Sequence, residues 1–141
     1  MKNVIPAIAI AVSMLLSACG SNYNANGTRG SVLAGRTVAI KATSNDADKG
    51  IRNAIGTELF KRGLQASDNP SANGLILSYY DDWKWDITMY LWALDLKLTD
   101  NSGKTLAVAD FSHFGLHHYP NNREVVKTLF EKWDAEGVFR K

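Results

Sequence analysis

The alternation of residues 90–99 constrains the fold more than any other feature of this 141-residue chain. Every even-numbered position from Tyr90 to Leu98 is apolar, whereas the odd-numbered positions from Asp95 onwards are polar. Side chains in a β-strand point to opposite faces in turn, so this period of two predicts a strand with one buried face. The apolar face of such a strand must pack against a second layer, which predicts a sheet covered by other elements.

The remaining patterns predict three further strands and two helices, in the order β-α-β-β-β-α. The four strands are expected over residues 36–42, 75–80, 85–99 and 105–114. Helices with an apolar stripe are expected from Asn45 to Gly63 and from Asn121 or Asn122 to Gly137, each with a capping residue at its start and glycine at its end. The expected fold class is a two-layer α/β sandwich, with a mostly antiparallel four-stranded sheet and two helices on one face.

The first nineteen residues have the pattern of a targeting segment. Lys2 precedes an apolar run over residues 4–16, shorter than the roughly 20 residues that a membrane-spanning helix needs, and typical of a signal-peptide core. The run ends in the string LSAC, which places Cys19, the only cysteine of the chain, after two small residues. This string resembles the bacterial lipobox, in which the chain is cleaved before the cysteine and the thiol is acylated. An ordinary secretory signal with a cysteine nearby by chance is the alternative.

The lipobox resemblance implies a signal peptide over residues 1–18 and acyl chains, palmitate among them, on Cys19. Because Gly20 rather than aspartate follows the cysteine, the resemblance also implies transfer to the bacterial outer membrane, with the domain facing the periplasm. Such acyl chains anchor a protein stably, since each buried CH₂ contributes about 0.8 kcal/mol. Residues 19–35 are rich in Gly, Asn and Ser and are expected to form a flexible tether, which leaves residues 36–141 as a single α/β domain.

The charge pattern excludes nucleic acid as a partner. The formal net charge is +2 with both signs interspersed, and the chain has no basic stripe of the kind that nucleic-acid binding requires. The expected partners are the membrane, through the lipid on Cys19, and an envelope protein or a glycan. No cofactor is expected, because the sequence contains neither a P-loop nor a dinucleotide-binding fingerprint.

The segment YYDDWKWDITMYLW, residues 79–92, departs from simple alternation. A second apolar row occupies the odd-numbered positions Ile87, Met89, Leu91 and Ala93, where the rest of the strand is polar, and Trp83 and Trp85 precede it. Either the protein's own chain covers this odd-numbered face or the face is an exposed interaction surface. The candidate interaction surface within this segment consists of Trp83, Trp85, Met89 and Leu91. The two tryptophans could also stack on a sugar ring, so a glycan- or peptidoglycan-binding module is an alternative.

The acidic residues of the same segment are poor candidates for catalysis. Asp82 and Asp86 would lie about 13 Å apart in an extended strand, whereas the paired carboxyl groups of glycosidases lie within about 9.5 Å. Asp81 is expected to organise a turn over residues 81–84 by accepting hydrogen bonds from backbone N–H groups. No catalytic residue is therefore expected, and a hydrolase is the less favoured alternative to a non-enzymatic role.

Three histidines are close together near the end of the last strand. Their spacing does not match a known zinc site, and no cysteine or suitably spaced carboxylate accompanies them, so no metal is expected. The weak candidates are His113, His117 and His118.

The lipobox and the aromatic segment together resemble a set of small, largely uncharacterised proteobacterial outer-membrane lipoproteins. These proteins share the motif Tyr-x-Asp-x-Trp-x-Trp-Asp-(Ile/Leu)-x-Met-Tyr-(Leu/Met), which here begins at Tyr79 and ends at Leu91. The resemblance implies a lipid-anchored envelope lipoprotein that acts as a non-enzymatic binding or assembly module, and it implies no particular reaction. The element order is also similar to that of small sandwich domains of envelope assembly lipoproteins and of the amino-terminal domain of the Tol translocation protein, a likeness in order alone.

Overall fold

The computed structural model of the chain describes residues 20–44, 48–115 and 119–140. Within these residues the strands are β1 (Gly20–Gly27), β2 (Val32–Leu33), β3 (Thr37–Ala42), β4 (Gln65–Ser67), β5 (Leu75–Asp86), β6 (Thr88–Asp100), β7 (Thr105–Phe114) and β8 (Phe139–Arg140). The helices are α1 (Lys49–Lys61) and α2 (Asn122–Ala135). The expected mixed α/β class with two helices is therefore confirmed for the described part of the chain.

The main sheet differs from the expected four-stranded, mostly antiparallel one. It has six strands in the order β1-β7-β6-β5-β3-β4, while β2 and β8 form a separate parallel pair. The pairings from β1 across to β5 are antiparallel, whereas β3 pairs in parallel with both β5 and β4. The two helices pack against each other, and their buried side chains form one core with the sheet. The prediction was wrong in strand number because it treated the segments that form β1 and β4 as a tether and a loop.

The segment expected to be a flexible tether, residues 19–35, is the largest correction to the fold. From Gly20 onwards it forms β1, which pairs with β7 along its whole length. The side chains of β1 are alternately exposed and partly buried, and Tyr23 packs against Phe111 with ring centroids 4.9 Å apart. The composition of this segment suggested that it could not bury enough apolar surface to offset the loss of chain entropy on folding. Its few apolar side chains are nevertheless on one face of the strand, where they pack together against the core. The sheet therefore includes residues 20–27, which the prediction had placed in the tether.

A β-bulge explains why the apolar row of β6 changes parity. Leu91 and Leu94 are both fully buried, although one position is odd and the other even. Along β6 the pairing with β5 passes from Ala93 directly to Leu91, which leaves Trp92 as an extra residue. An extra residue in one strand shifts by one the face to which the following side chains point. The two apolar rows of β6 therefore belong to one face of the sheet.

Both helices begin at a side-chain cap and end before a glycine. The carboxylate of Asp48 and the amide oxygen of Asn121 each accept hydrogen bonds from two backbone N–H groups of the first turn. Asn121, one of the two residues expected to start the second helix, is its cap. In contrast, α1 begins later than expected, and Asn45 lies outside the described residues. Gly63 and Gly137 follow the helices with φ of 72° and 73°, a conformation that suits glycine. Neither of these helices is long and apolar enough to cross a membrane.

An arginine next to the end of α1 joins the two helices. The guanidinium of Arg62 contacts both carboxylate oxygens of Asp134 in α2, at 2.9 and 2.5 Å, and the carboxylate of Glu58 at 2.8 Å. It also lies 5.0 Å from the ring centroid of Phe130, within cation–π range. Burial raises the pKa of Glu58, but hydrogen bonds from Lys61 and Arg62 lower it by more, so the carboxylate remains charged.

Replacing Tyr23 by alanine is expected to lower the free energy of unfolding by about 1–2 kcal/mol, because the packing of its ring on Phe111 is lost. The matched control is Asn22→Ala, on the exposed side of the same strand, which is expected to change it by less than about 0.5 kcal/mol. Urea denaturation of the two variants measures the difference. Small and equal effects would show that residues 20–27 do not pack on the domain.

Candidate functional site

The hairpin of β5 and β6 ends in three exposed apolar side chains, which we call the hairpin tip: Trp85, Ile87 and Met89. Trp85 pairs with Met89 and Asp86 pairs with Thr88, so the chain reverses direction at Ile87. The exposed fraction is 71% for Trp85, 78% for Ile87 and 53% for Met89. Single exposed apolar residues are ordinary on a protein surface, but three within five positions form an exposed apolar patch, a feature typical of contact sites.

The backbone of Ile87 adopts a conformation that is unfavourable for isoleucine. Its φ is +58°, and it is the one non-glycine residue of the described chain with a positive φ. A β-branched residue in this region is a genuine outlier, with a cost of order 1–3 kcal/mol, whereas glycine or asparagine would make the same turn with less strain. Because the side chain is mostly exposed, it gains little from packing within the domain. Strain at an exposed apolar residue therefore supports a contact outside the chain.

A cluster of aromatic side chains holds the hairpin beside the bulge. The hydroxyl of Tyr119 donates a hydrogen bond to the backbone oxygen of Asp86, at 2.8 Å. The ring of Tyr119 lies 5.0 Å from that of Tyr90, which in turn lies 6.3 Å from Trp92 and 6.0 Å from His113. These contacts fix the hairpin relative to the sheet and so determine where the tip projects.

Asp81 lies at the base of the hairpin and accepts three hydrogen bonds. The donors are the hydroxyl of Ser44, the backbone N–H of Asp48 at 2.9 Å and the indole N–H of Trp83 at 2.8 Å. Burial raises the pKa of Asp81, but these donors lower it by more, so the net shift is downward. The carboxylate is thus a structural acceptor that orients Trp83 and the start of α1. As expected, Asp81 accepts a hydrogen bond from a backbone N–H group. The turn expected over residues 81–84 is not present in this described segment, because β5 continues without interruption to Asp86.

The four residues predicted as one interaction surface fall into two groups. Leu91 is fully buried and Trp83 is partly buried against the core, so Leu91 belongs to no surface. Trp85 and Met89 are exposed because they lie nearer the turn, past the last core residues of the two strands. Ile87 belonged to the predicted apolar row but not to the four candidates, because the aspartates and the lysine of residues 81–84 suggested that the chain turns there. Its β-branched side chain gives no turn signal.

A cleft of about 630 Å³ lies between the base of the hairpin and the start of α1. Its wall combines aromatic, acidic and apolar side chains, a combination that suits a polar ligand with an apolar face. The described side chains along the wall include Tyr80, Asp81, Asp82, Trp83 and Met89. Of the two acids, Asp82 also forms an ion pair with Lys84, with an N–O distance of 3.1 Å.

Within the described ranges there is no group of three or more residues that could hold a metal ion. His113 is buried, and its Nδ1 lies 3.0 Å from the hydroxyl oxygen of Ser21 in the neighbouring strand. His117 and His118 lie outside the described residues, as does Cys19.

No protein-family model and no curated protein matches this chain. Solved structures share its fold. A single-substitution variant of the PelC dodecamer from Paraburkholderia phytofirmans is 16% identical, with a TM-score of 0.55 over 86% of this chain and 100% of that chain. The PelC dodecamer from the same organism, in a second crystal form, is 17% identical, with a TM-score of 0.53 and the same coverage. A DUF4136 family protein from Bacteroides thetaiotaomicron is 9% identical, with a TM-score of 0.50 over 84% of this chain and 98% of that chain. At these identities the similarity shows the fold, and function must be argued from the site.

The substitution Ile87→Asn is expected to raise the free energy of unfolding by about 1 kcal/mol, because asparagine tolerates a positive φ better than a β-branched residue. Ile87→Val keeps the branched Cβ and serves as the matched control, with no gain expected. Urea denaturation provides the measurement. A clear loss of stability in Ile87→Asn would mean that the isoleucine packs within the fold, and the argument from strain would fail.

Replacing Asp81 by alanine is expected to cost about 2–3 kcal/mol of unfolding free energy at pH 7, because three partly buried donors lose their acceptor. The pKa of Asp81 is lower in the folded than in the unfolded chain. Its contribution is therefore complete above the ordinary value of about 3.9 and is lost as the pH falls through the folded-state pKa. Urea titrations between pH 7 and pH 3 should show a constant difference from wild type down to about pH 5 and a shrinking one below about pH 4. A difference that persists unchanged to pH 3 would contradict a carboxylate held ionised by its donors.

Proposed function

We propose that this chain is a lipid-anchored lipoprotein of the bacterial outer membrane whose domain acts in the periplasm as a non-enzymatic binding or assembly module. The observation that carries the proposal is the hairpin tip, where Ile87 is kept exposed in a strained conformation. Strain persists at sites of contact and recognition because the surrounding structure enforces it. The lipobox-like string ending in Cys19 supports the anchor.

The arrangement of the acidic residues supports a role other than hydrolysis. A hydrolase built on these aspartates would need one carboxyl group free to transfer a proton, near a second one that acts on the substrate. The oxygens of Asp81 already accept three hydrogen bonds, and Asp82 is paired with Lys84. Asp86 accepts a hydrogen bond from Tyr119 at the hairpin turn. It pairs with Thr88, whereas Asp81 and Asp82 pair with Leu94 and Ala93 further from the turn.

The position of β1 adds a constraint to the proposed anchor. If Cys19 carries the acyl chains, the next residue, Gly20, is already the first residue of the sheet. The lipid is then joined to the fold directly, without the spacer that the sequence suggested. A module attached in this way acts at the membrane surface and cannot reach partners at a distance.

Glycan binding in the cleft is the second candidate function, and the composition of the cleft wall favours it. Tyr80 is about half exposed there, Trp83 provides an indole face, and Asp82 lies on the same wall. An aromatic face packs on the C–H groups of a sugar while acidic side chains accept hydrogen bonds from its hydroxyl groups. Titration with soluble peptidoglycan fragments should change the tryptophan emission of the wild type, and Tyr80→Ala should weaken the response. An emission spectrum that stays constant throughout the titration would exclude this candidate.

The lipid anchor is tested by the variant Cys19→Ser in the full chain, expressed in a proteobacterial host. The wild type is expected to incorporate a labelled palmitate analogue and to fractionate with the outer membrane, because acylation at Cys19 supplies the anchor. The variant is expected to lose the label completely. Ser17→Ala keeps a small residue before the cysteine and serves as the matched control, with labelling retained. A wild-type protein that takes up no label would refute the anchor.

A further inference from the structure

We propose that the hairpin tip inserts into the bilayer that holds the lipid anchor, which gives the domain a second, non-covalent contact with the same membrane. The inference deepens the proposed function and rests on the acylation of Cys19. Its ligand is a phospholipid surface. The hairpin tip contacts it through Trp85, Ile87 and Met89.

The pairing of the strands brings the start of β1 and the hairpin tip to the same end of the sheet. Gly20 lies opposite Phe114, the last residue of β7. Two residues earlier in β7, Ser112 lies opposite Ala93 of β6. Because β6 and β7 are antiparallel, the residues of β6 that precede Ala93 lead towards the same end of the sheet as Phe114, and they end at the hairpin turn. Ile87 is therefore three to four residues beyond the level of Gly20, or roughly 10–13 Å at about 3.3 Å per residue. The tip projects past the point at which the lipid would be attached.

Exposed apolar side chains are concentrated at this end of the sheet. Among the described residues eight large hydrophobic side chains are exposed, and four of them are Phe114 and the three residues of the hairpin tip. Phe60 is also exposed, but it lies at the opposite end of the domain. There α1 returns the chain to β4, which pairs with the first residues of β3. The two ends thus provide a test site and a matched control site within one protein.

The chemistry of the tip matches the boundary between lipid headgroups and acyl chains. Tryptophan is enriched at this boundary, and isoleucine and methionine are readily buried among acyl chains. Elements that lie in the boundary bury their apolar side chains to a depth of about 5–10 Å, which is comparable to the projection of the tip. The nearby charges carry partners that reduce the cost of leaving water: Lys84 pairs with Asp82 at 3.1 Å, and the carboxylate of Asp86 lies 3.4 Å from the hydroxyl of Tyr119.

The direct junction between anchor and fold favours lipid over a protein as the occupant. In the proposed lipoprotein one peptide bond separates the acylated Cys19 from β1, so this end of the sheet must lie against the membrane. A protein partner at the tip would have to occupy the narrow space between the domain and the bilayer. An apolar tip in that position meets acyl chains first.

The test uses the full chain, expressed with its signal segment and purified as the processed protein. Mass spectrometry first establishes whether acyl chains are present, and the protein is then reconstituted into vesicles of phosphatidylethanolamine and phosphatidylglycerol with brominated acyl chains. Bromine quenches tryptophan only at short range, so the wild type is expected to be quenched. Trp85→Phe is expected to lose most of that quenching, because Trp83, Trp92 and Trp133 are partly or fully buried in the domain.

The control variant combines Trp85→Phe with Phe60→Trp and moves the exposed tryptophan to the opposite end of the domain. It is expected to show no more quenching than Trp85→Phe alone. Acylated protein with equal quenching in wild type and Trp85→Phe would overturn the insertion of the tip and leave the anchor intact. Purified protein without acyl chains would overturn both proposals. A photoreactive residue at position 87 is expected to form lipid adducts in cells, and capture of one defined protein in their place would also overturn the inference.

Discussion

The pairing of β5 with β6 is the constraint on which the rest of the structure depends. These two strands are long enough to supply the centre of the core and still extend beyond it as a hairpin with an exposed tip. The bulge at Trp92 makes this possible. Because of this extra residue, Leu91 points to the same core face as Leu94, Leu96 and Leu98, which follow the regular alternation. Without the extra residue, Leu91 would point away from the core and Trp83 would have no apolar partner opposite it.

Two charged groups then hold α1 in place, one at each end of the helix: the first joins it to the sheet and the second joins it to α2. Asp81 accepts the backbone N–H of the Asp48 cap at its start, and Arg62 pairs with Asp134 of α2 next to its end. Each group is substantially removed from water, and each is supplied with several hydrogen bonds, the condition under which a buried charge is tolerated. The carboxylate that first suggested catalysis thus serves the same structural purpose as the arginine. Both position the helices that cover the core below the hairpin tip.

Much of the fold could be predicted from local patterns, and what could not depended on pairing between distant segments. The apolar stripe of α2 and its Asn121 cap were confirmed because period and cap are encoded within one element. Strand β1 was missed because its few apolar side chains become significant only when they lie against β7. The parity change at Trp92 could be seen in the sequence, but alternation does not distinguish a bulge from a second exposed face. For the site, Trp85 and Met89 were identified as candidates, whereas the exposure of Ile87 and the burial of Leu91 depend on where the hairpin turns.

If Cys19 carries the lipid, the position of Gly20 within the sheet also restricts how the domain moves. A protein held by one flexible attachment rotates freely in three directions, whereas two attachment points on a line leave only rotation about that line. With a lipid at one end of β1 and the hairpin tip in the same bilayer, the strands would stand roughly upright on the membrane. The sheet face opposite the core, on which Asp95 and Lys97 are exposed, would then be oriented sideways along the bilayer. Molecules that diffuse in the membrane would meet that face in a narrow range of orientations. The restricted orientation would raise their effective concentration at the face, although no new contact is formed.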